Sequence, residues 1–269
     1  MSSSDPNEKP SKPTKAQTIK RFRDEQKKEG AYEYRDRGRQ TVKLRQIVGS
    51  VNRYLDFDSK FHLKKDRPRE RLHAIRAVME KGKPLPPVDL YKIKDSYFVL
   101  DGNHRISVAK ERGFKEINAR VVEFLPSRAT AENSLYRDKT EFQDKTGLPQ
   151  SIVLTEPGQY RNLQHQIDRH RQFVSEQAGA EVPLKEAAQD WYNTIYRPLA
   201  AIVEKAGLLD SFPGRTAADL YAYVSVHQWE RDHSPSFGSM IDKSITRSME
   251  EFRRNMKDTK EKDLSLIHI

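Results

Sequence analysis

The 269-residue chain contains no cysteine, which excludes disulfide bridges, thiolate nucleophiles and thiolate metal sites, and which is compatible with a reducing compartment. No apolar run approaches the ~20 residues that a membrane helix needs. The N-terminal stretch, rich in Ser, Pro and Lys, lacks the apolar core of a signal peptide. A cytoplasmic protein with no membrane partner is the expectation. No H-E-x-x-H pattern occurs, and His165 and His170, five apart, do not share a helix face, so these histidines are expected to be surface or core residues. Charge is what the chain has in abundance. Charged residues make up 33% and hydrophobic residues 35%, enough to build a core in a very soluble protein of one large or two small domains. Against 39 acidic residues stand 49 basic ones, a net charge of +10 that suits a protein meeting polyanions, and equally a solvated basic surface.

Residues 1–15 have nothing to bury and are expected to be disordered. Ala16 to about Arg35 reads as a polar helix, so residues 1–40 form a basic leader; residues 1–45 hold 13 Lys and Arg against 7 Asp and Glu. Thr41 to Val51 reads as a strand broken at Gly49-Ser50. Asp66 to Lys83 has Pro68 in its first turn and Leu72, Ile75, Val78 and Met79 at helical spacing, which predicts a helix packed on the sheet. Lys83 to Pro87 forces an extended entry into a strand over Val88–Ile93, and a turn at Lys94-Asp95-Ser96 leads back through Tyr97–Leu100 as a hairpin. A helix over Ile106–Arg112 ends at Gly113, and a strand over Ile117–Leu125 closes the domain at Pro126.

From Ser127 the pattern turns helical: Ala129–Thr146, Tyr160–Ala178, a strongly apolar run from Val182 to Ala206 broken near Pro198, and a helix capped by Thr216. The stripe of Trp191, Tyr192 and Tyr196 reads as core. Ser239–Lys262 reads as a charged helix. Leu264–Ile269 reads as the in-frame translation of a sequencing-transposon end, a non-native tail that implies a longer natural protein. The predicted class is α+β: a small mixed αβ domain over 41–126, then a mainly helical domain over 127–263.

The richest stretch is Asp101-Gly102-Asn103-His104-Arg105, between a predicted strand and a predicted helix. At such a junction Gly102 lets backbone approach a ligand, and the free N–H groups of the first helical turn present the positive end of the helix dipole, an anion site. Arg105 adds a bidentate clamp for phosphate, and His104 a donor whose charge changes near neutral pH. Asp101 is placed to hold a metal or accept a proton. The alternative is a glycine turn with an arginine salt bridge. Asp56 and Asp58 lie two apart, so in extended chain both carboxylates face one side and could hold Mg²⁺ or share acid–base work. An Asx turn with Asp58 as its cap is the competing reading.

The order of these segments resembles the ParB/sulfiredoxin superfamily domain: Pro86–Tyr91 as a strand, Tyr97–Arg105 as strand plus box, Ile117–Val122 as the next strand, with Ile47–Val51 and Asp56–Asp58 upstream. It is most similar to ParB-like proteins carrying D-G-[NH]-H-R and a helical C-terminal extension. The resemblance implies a nucleotide, ATP, ADP or CTP, with its phosphates at Gly102, Asn103, His104 and Arg105; Mg²⁺ is the expected companion, at Asp101. It leaves open nucleotide hydrolysis or small-molecule kinase chemistry through Asp101, His104, Asp56 and Asp58, since free serine kinases of the superfamily carry D-G-H-H-R. Sulfinic acid reductase activity is excluded, because Asn103 stands where sulfiredoxins place their cysteine. No helix-turn-helix pattern follows Leu125, which argues against a centromere clamp. The alternative function is a DNA-associated regulator or ParB-like nuclease that uses the basic leader and the helical half.

Overall fold

The computed structural model describes residues 18–148, 152–205 and 207–231. The expected disordered leader start, the charged helix over 239–262 and the tail over 264–269 lie outside the described residues. The chain divides into two compact units, residues 1–129 and 130–269.

The first unit is built on a six-stranded mixed sheet: β1 (Lys20–Arg21), β2 (Glu33–Lys43), β3 (Ile47–Ser50), β4 (Val88–Ile93), β5 (Ser96–Asp101) and β6 (Glu116–Leu125), in the order β1-β3-β5-β4-β6-β2. As the turn at Lys94-Asp95-Ser96 predicts, β4 and β5 form an antiparallel hairpin. β3 runs parallel to β5, so the chain leaves both strands at the same edge of the sheet. Val88, Leu90, Val99, Ala119 and Val121 face one side and pack with Ile106 and Ala109 of helix α3 (Asn103–Glu111). The opposite side carries the rings of Phe22, Tyr91, Phe98 and Phe124, whose centroids lie 4.9 to 5.6 Å apart. Phe22 belongs to helix α1 (Phe22–Glu29), which ends at Gly30 and is much shorter than the helix expected over 16–35.

Three sequence expectations give way here. Residues 33–43 are a long edge strand paired with β6, so the last part of the basic leader, residues 33–40, belongs to the folded sheet. Only Val42 of that strand is buried among charged neighbours, so its sequence carries no alternation; pairing with β6 makes it a strand. Gly49 and Ser50 do not break β3: a Cβ on Gly49 would sit 2.3 Å from the Lys20 carbonyl oxygen, and the bare glycine is what lets β1 pair there. Helix α2 (Glu70–Glu80) buries only Leu72 and lies along α3 rather than on the sheet, joined by Arg76–Glu111 at 2.6 Å and Arg112–Glu80 at 2.9 Å.

The second unit is helical: α4 (Ala131–Thr146), α5 (Gln159–Ala178), α6 (Leu184–Trp191), α7 (Arg197–Lys205) and α8 (Ala217–Arg231). Trp191, Tyr196 and Tyr221 sit in its core, with Tyr196 stacked on Trp191 at 5.5 Å. The expected break falls just before Pro198, as one π-helical turn over Tyr192–Tyr196. Pro198 has no N–H for the carbonyl four residues back and its ring crowds that carbonyl; a widened turn relieves both.

Candidate functional site

The site is built where β5 runs out into α3. Gly102 ends the strand with φ of 105°, and an added Cβ would meet Val88 Cγ1 at 2.5 Å. Glycine is required there on two counts, backbone angle and space. With Gly102 as its N-cap, α3 has no side-chain cap. Among the described residues no acceptor meets the N–H groups of Asn103, His104 and Arg105, while Ile106 N–H donates to the Gly102 carbonyl at 3.0 Å. The positive end of the helix dipole is therefore left unanswered by the protein. Asn103 is 6% exposed, and its Oδ1 is buried with no hydrogen-bond partner. A buried acceptor without a partner costs ~1–3 kcal/mol, so the fold retains a group that an incoming donor would satisfy.

Arg105 is deployed differently from the expected open clamp. Its Nη1 donates to the carbonyls of Pro86 at 2.8 Å and Pro87 at 2.7 Å, and its Nη2 to Asp101 Oδ2 at 2.5 Å. Two consecutive prolines have no N–H and hold extended backbone, leaving carbonyls free for a guanidinium. The arginine thus ties the approach to β4 onto the start of α3. It keeps Nε and one Nη2 hydrogen for a ligand, and Asp101, 61% exposed, keeps one carboxylate oxygen.

The chain leaving β3 meets the box from the other side. Ser50, fully buried, donates through Oγ to the Val99 carbonyl at 3.1 Å and accepts the Arg53 N–H at 3.2 Å, which fixes the turn carrying Arg53. Beyond it, the segment is not extended. Phe57 bridges to Leu63, and Phe61 takes the left-handed conformation with φ of 67°. Burial holds Phe61 there, and Lys110 Nζ sits 4.2 Å from its ring centroid while donating to the Ile47 carbonyl at 3.0 Å. Desolvation brings the Lys110 amine down to about 8.

This turn separates the two aspartates. Asp58 Oδ1 accepts the N–H groups of Lys60 and His62, both at 2.9 Å, and Oδ2 lies 3.1 Å from His62 Nδ1. Burial pushes its carboxyl up, but the donors of His62 and Lys60 outweigh that and hold it below the usual range. Both its oxygens face its own turn. Asp56 points elsewhere: Arg67 Nε is 3.2 Å away and Arg53 Nη1 3.9 Å. The ring of Phe57 meets His104 edge-on at 5.7 Å. His104 is pushed below its ordinary value by desolvation first, then by the charges of Arg53 and Arg71, with Asp56 opposing. So Asp56, Arg53 and Arg71 act electrostatically on His104. Nothing in the sequence marks Arg71 as a residue of the box. Its helical spacing from Leu72 and Ile75 gives no hint of what it faces.

A family model for the ParB N-terminal domain matches residues 56–137. Among curated proteins none matches. Similar solved structures include sulfiredoxin from Arabidopsis thaliana, 13% identical over 31% of this chain and 82% of that one, with a TM-score of 0.24. Two structures of a pNOB8-like ParB N-domain are also similar: one is 12% identical over 85% of this chain and 98% of its own, the other 11% over 82% and 97%, with TM-scores of 0.24 and 0.25. Residues 56–137, the span that holds the box Asp101–Arg105, thus match the ParB N-terminal domain.

Proposed function

We propose that the Gly102–Arg105 junction binds the phosphates of a nucleoside di- or triphosphate, ATP, ADP or CTP, with Mg²⁺. The observation that carries this reading is the start of α3: three first-turn N–H groups without acceptors, beside a buried Asn103 Oδ1 without a donor. Phosphate oxygens answer the N–H groups, and a ribose hydroxyl or base amino group answers Asn103. Arg53 and Arg71 supply the positive field over His104 that a polyphosphate would neutralise. Mg²⁺ would neutralise phosphate charge and bridge to one carboxylate, Asp101 or Asp56, as is usual where most of its ligands are phosphate and water.

Turnover would require a base near the acceptor. Asp56 is the candidate for that role, because it lies within electrostatic reach of His104, whereas Asp58 faces its own turn. The test is thermal stabilisation by ATP, ADP, CTP and GTP, with and without Mg²⁺. A ligand at one hundred times its dissociation constant adds about 2.7 kcal/mol. Stabilisation by one nucleotide that disappears in Asn103→Leu supports the site; absence of stabilisation by any nucleotide rejects it.

A further inference from the structure

On the sheet edge where β5 gives way to α3, a second group is left without a partner. β1 pairs parallel with β3, Arg21 opposite Ser50, and β3 pairs parallel with β5, Ser50 opposite Val99, so all three strands end on that edge. Arg21 is half-buried. Its Cζ lies over the ring of Tyr54, 5.2 Å from the centroid, and its Nε is buried with no hydrogen-bond partner. Among the described residues no acceptor meets the guanidinium and no carboxylate pairs with it. Asp24 and Glu25, the acidic residues nearest in sequence, do not answer it, and Glu25 is paired with Lys28 at 3.1 Å.

Both members of this stack stand on fixed backbone. Gly49 leaves room for β1 beside β3, which sets Arg21 in place. Ser50 Oγ accepts the Arg53 N–H at 3.2 Å and Tyr54 packs against the core, so the loop after β3 brings the ring under the guanidinium. The ring covers one face and leaves the in-plane N–H edge open. A carbonyl on that edge would satisfy the unmet Nε–H and leave the charge unanswered. A two-oxygen anion answers both, in bidentate geometry.

The topology marks the same place. α1, which follows β1, packs through Phe22 on the face of Tyr91, Phe98 and Phe124, whereas α2, which follows β3, lies along α3 of the opposite face. Neighbouring parallel strands whose helices depart to opposite faces open a crevice at their carboxyl ends, the usual place for a small ligand in such sheets.

We propose that Arg21, backed by Tyr54, binds a small oxyanion, a phosphate or carboxylate group, at the carboxyl ends of β1 and β3. This goes beyond the nucleotide reading and does not depend on it. Arg21 and Tyr54 lie outside the matched residues 56–137, and Arg21 stands two strands, about 10 Å, from β5.

Proton–nitrogen NMR spectra of the full chain, in which a buried arginine Nε–H is visible, test it. The Arg21 resonance is assigned through its backbone and by its loss in Arg21→Lys. Sodium phosphate and sodium malonate are titrated separately at constant ionic strength, with chloride as the control. The Arg21 Nε–H is expected to shift and saturate with phosphate or with malonate and to stay put in chloride; the anion that saturates it tells phosphate from carboxylate. Read from the backbone amides of Arg53 and Tyr54, affinity for that anion is expected to fall at least tenfold in Arg21→Lys, which keeps the charge and loses the planar fork, and about threefold when Tyr54→Leu removes the stack. Unchanged melting temperatures show that the variants are folded. Shifts that never saturate with either anion, or affinity unaltered in Arg21→Lys, overturn the proposal. Saturation confined to the Asn103 and His104 amides, with Arg21 unmoved, overturns it too and leaves the phosphate site standing. Saturation at Arg21 supports it whether or not any nucleotide stabilises the chain.

Discussion

Two helices of this protein begin in opposite ways. α8 of the helical unit starts with a reciprocal capping box: Thr216 Oγ1 accepts the Asp219 N–H at 3.1 Å, and Asp219 Oδ2 accepts the Thr216 N–H at 2.9 Å. Asp219 also takes the N–H of Thr155 at 2.8 Å and its hydroxyl at 3.0 Å. α3 of the α/β unit starts on a glycine with no cap and with a buried amide oxygen unmatched. The chain can build a closed helix start and does so at α8, whereas α3 begins on an uncapped glycine, as α5 does, and adds to it the unmatched Asn103 Oδ1. In the proposed reading a phosphate-bearing partner supplies the groups missing at α3.

Breaking either start should cost stability, for different reasons. The largest effect is expected from Gly102→Ala, about 3 kcal/mol, from a disfavoured positive φ plus overpacking against Val88. Hydrogen exchange of the α3 amides reads it directly; a variant with parental protection there would remove the claim that this junction demands glycine. Asp219→Ala comes next, at about 2 kcal/mol, because it strips a cap and leaves the Thr155 and Thr216 donors unmatched. Both tryptophans, Trp191 and Trp229, lie in the helical half, so their fluorescence during denaturant unfolding reports that unit separately. Unchanged unfolding of the tryptophan signal would show that the capping box is ornamental.

The same contrast explains what could be read from the sequence. The strand before the box, the hairpin and the helix after it were legible because Tyr97–Leu100 is a continuous apolar run and Gly102 and Gly113 punctuate the α3 segment. The capped start at Thr216 was legible for the same kind of reason, a side chain with a local job. What escaped were features set by partners distant in sequence. Strand Glu33–Lys43 is polar on both faces and exists through pairing with β6. Arg105 looked like a free clamp because nothing local shows that the Pro86 and Pro87 carbonyls converge on it. The pairing of Asp56 with Arg67, and the turn that takes Asp58 away from it, depend on Phe61 adopting a left-handed backbone, which no propensity would assign to phenylalanine.

His104 sharpens the comparison through pH. Its folded form resists protonation more than its ordinary 6.5, because it is desolvated and faces Arg53 and Arg71. As pH falls below about 6.5 the unfolded chain takes up the proton first, so stability declines down to the folded value and then levels. His104→Gln should flatten that part of the stability curve. A phosphate at the α3 start reverses the local field and favours the imidazolium, so nucleotide binding should take up a proton and strengthen as pH falls toward 6. Affinity that is flat or weakens over this range would place His104 outside the site.

The smallest effect is the most discriminating between the two aspartates. Asp58→Asn keeps the shape of the side chain and one acceptor oxygen for the Lys60 and His62 N–H groups, and loses the charge opposite His62. The pair is exposed, so the cost should be within about 1 kcal/mol. Nucleotide stabilisation should be unchanged, because both oxygens of Asp58 face their own turn. Asp56→Asn removes the carboxylate between Arg53 and Arg67, strengthens the positive field on His104 and lowers its proton affinity further. It should therefore shift the pH dependence of binding to lower pH while Asp58→Asn does not. If both substitutions moved that dependence equally, the turn at Phe61 would not be separating the carboxylates, and the assignment of Asp56 alone to the box would have to be withdrawn.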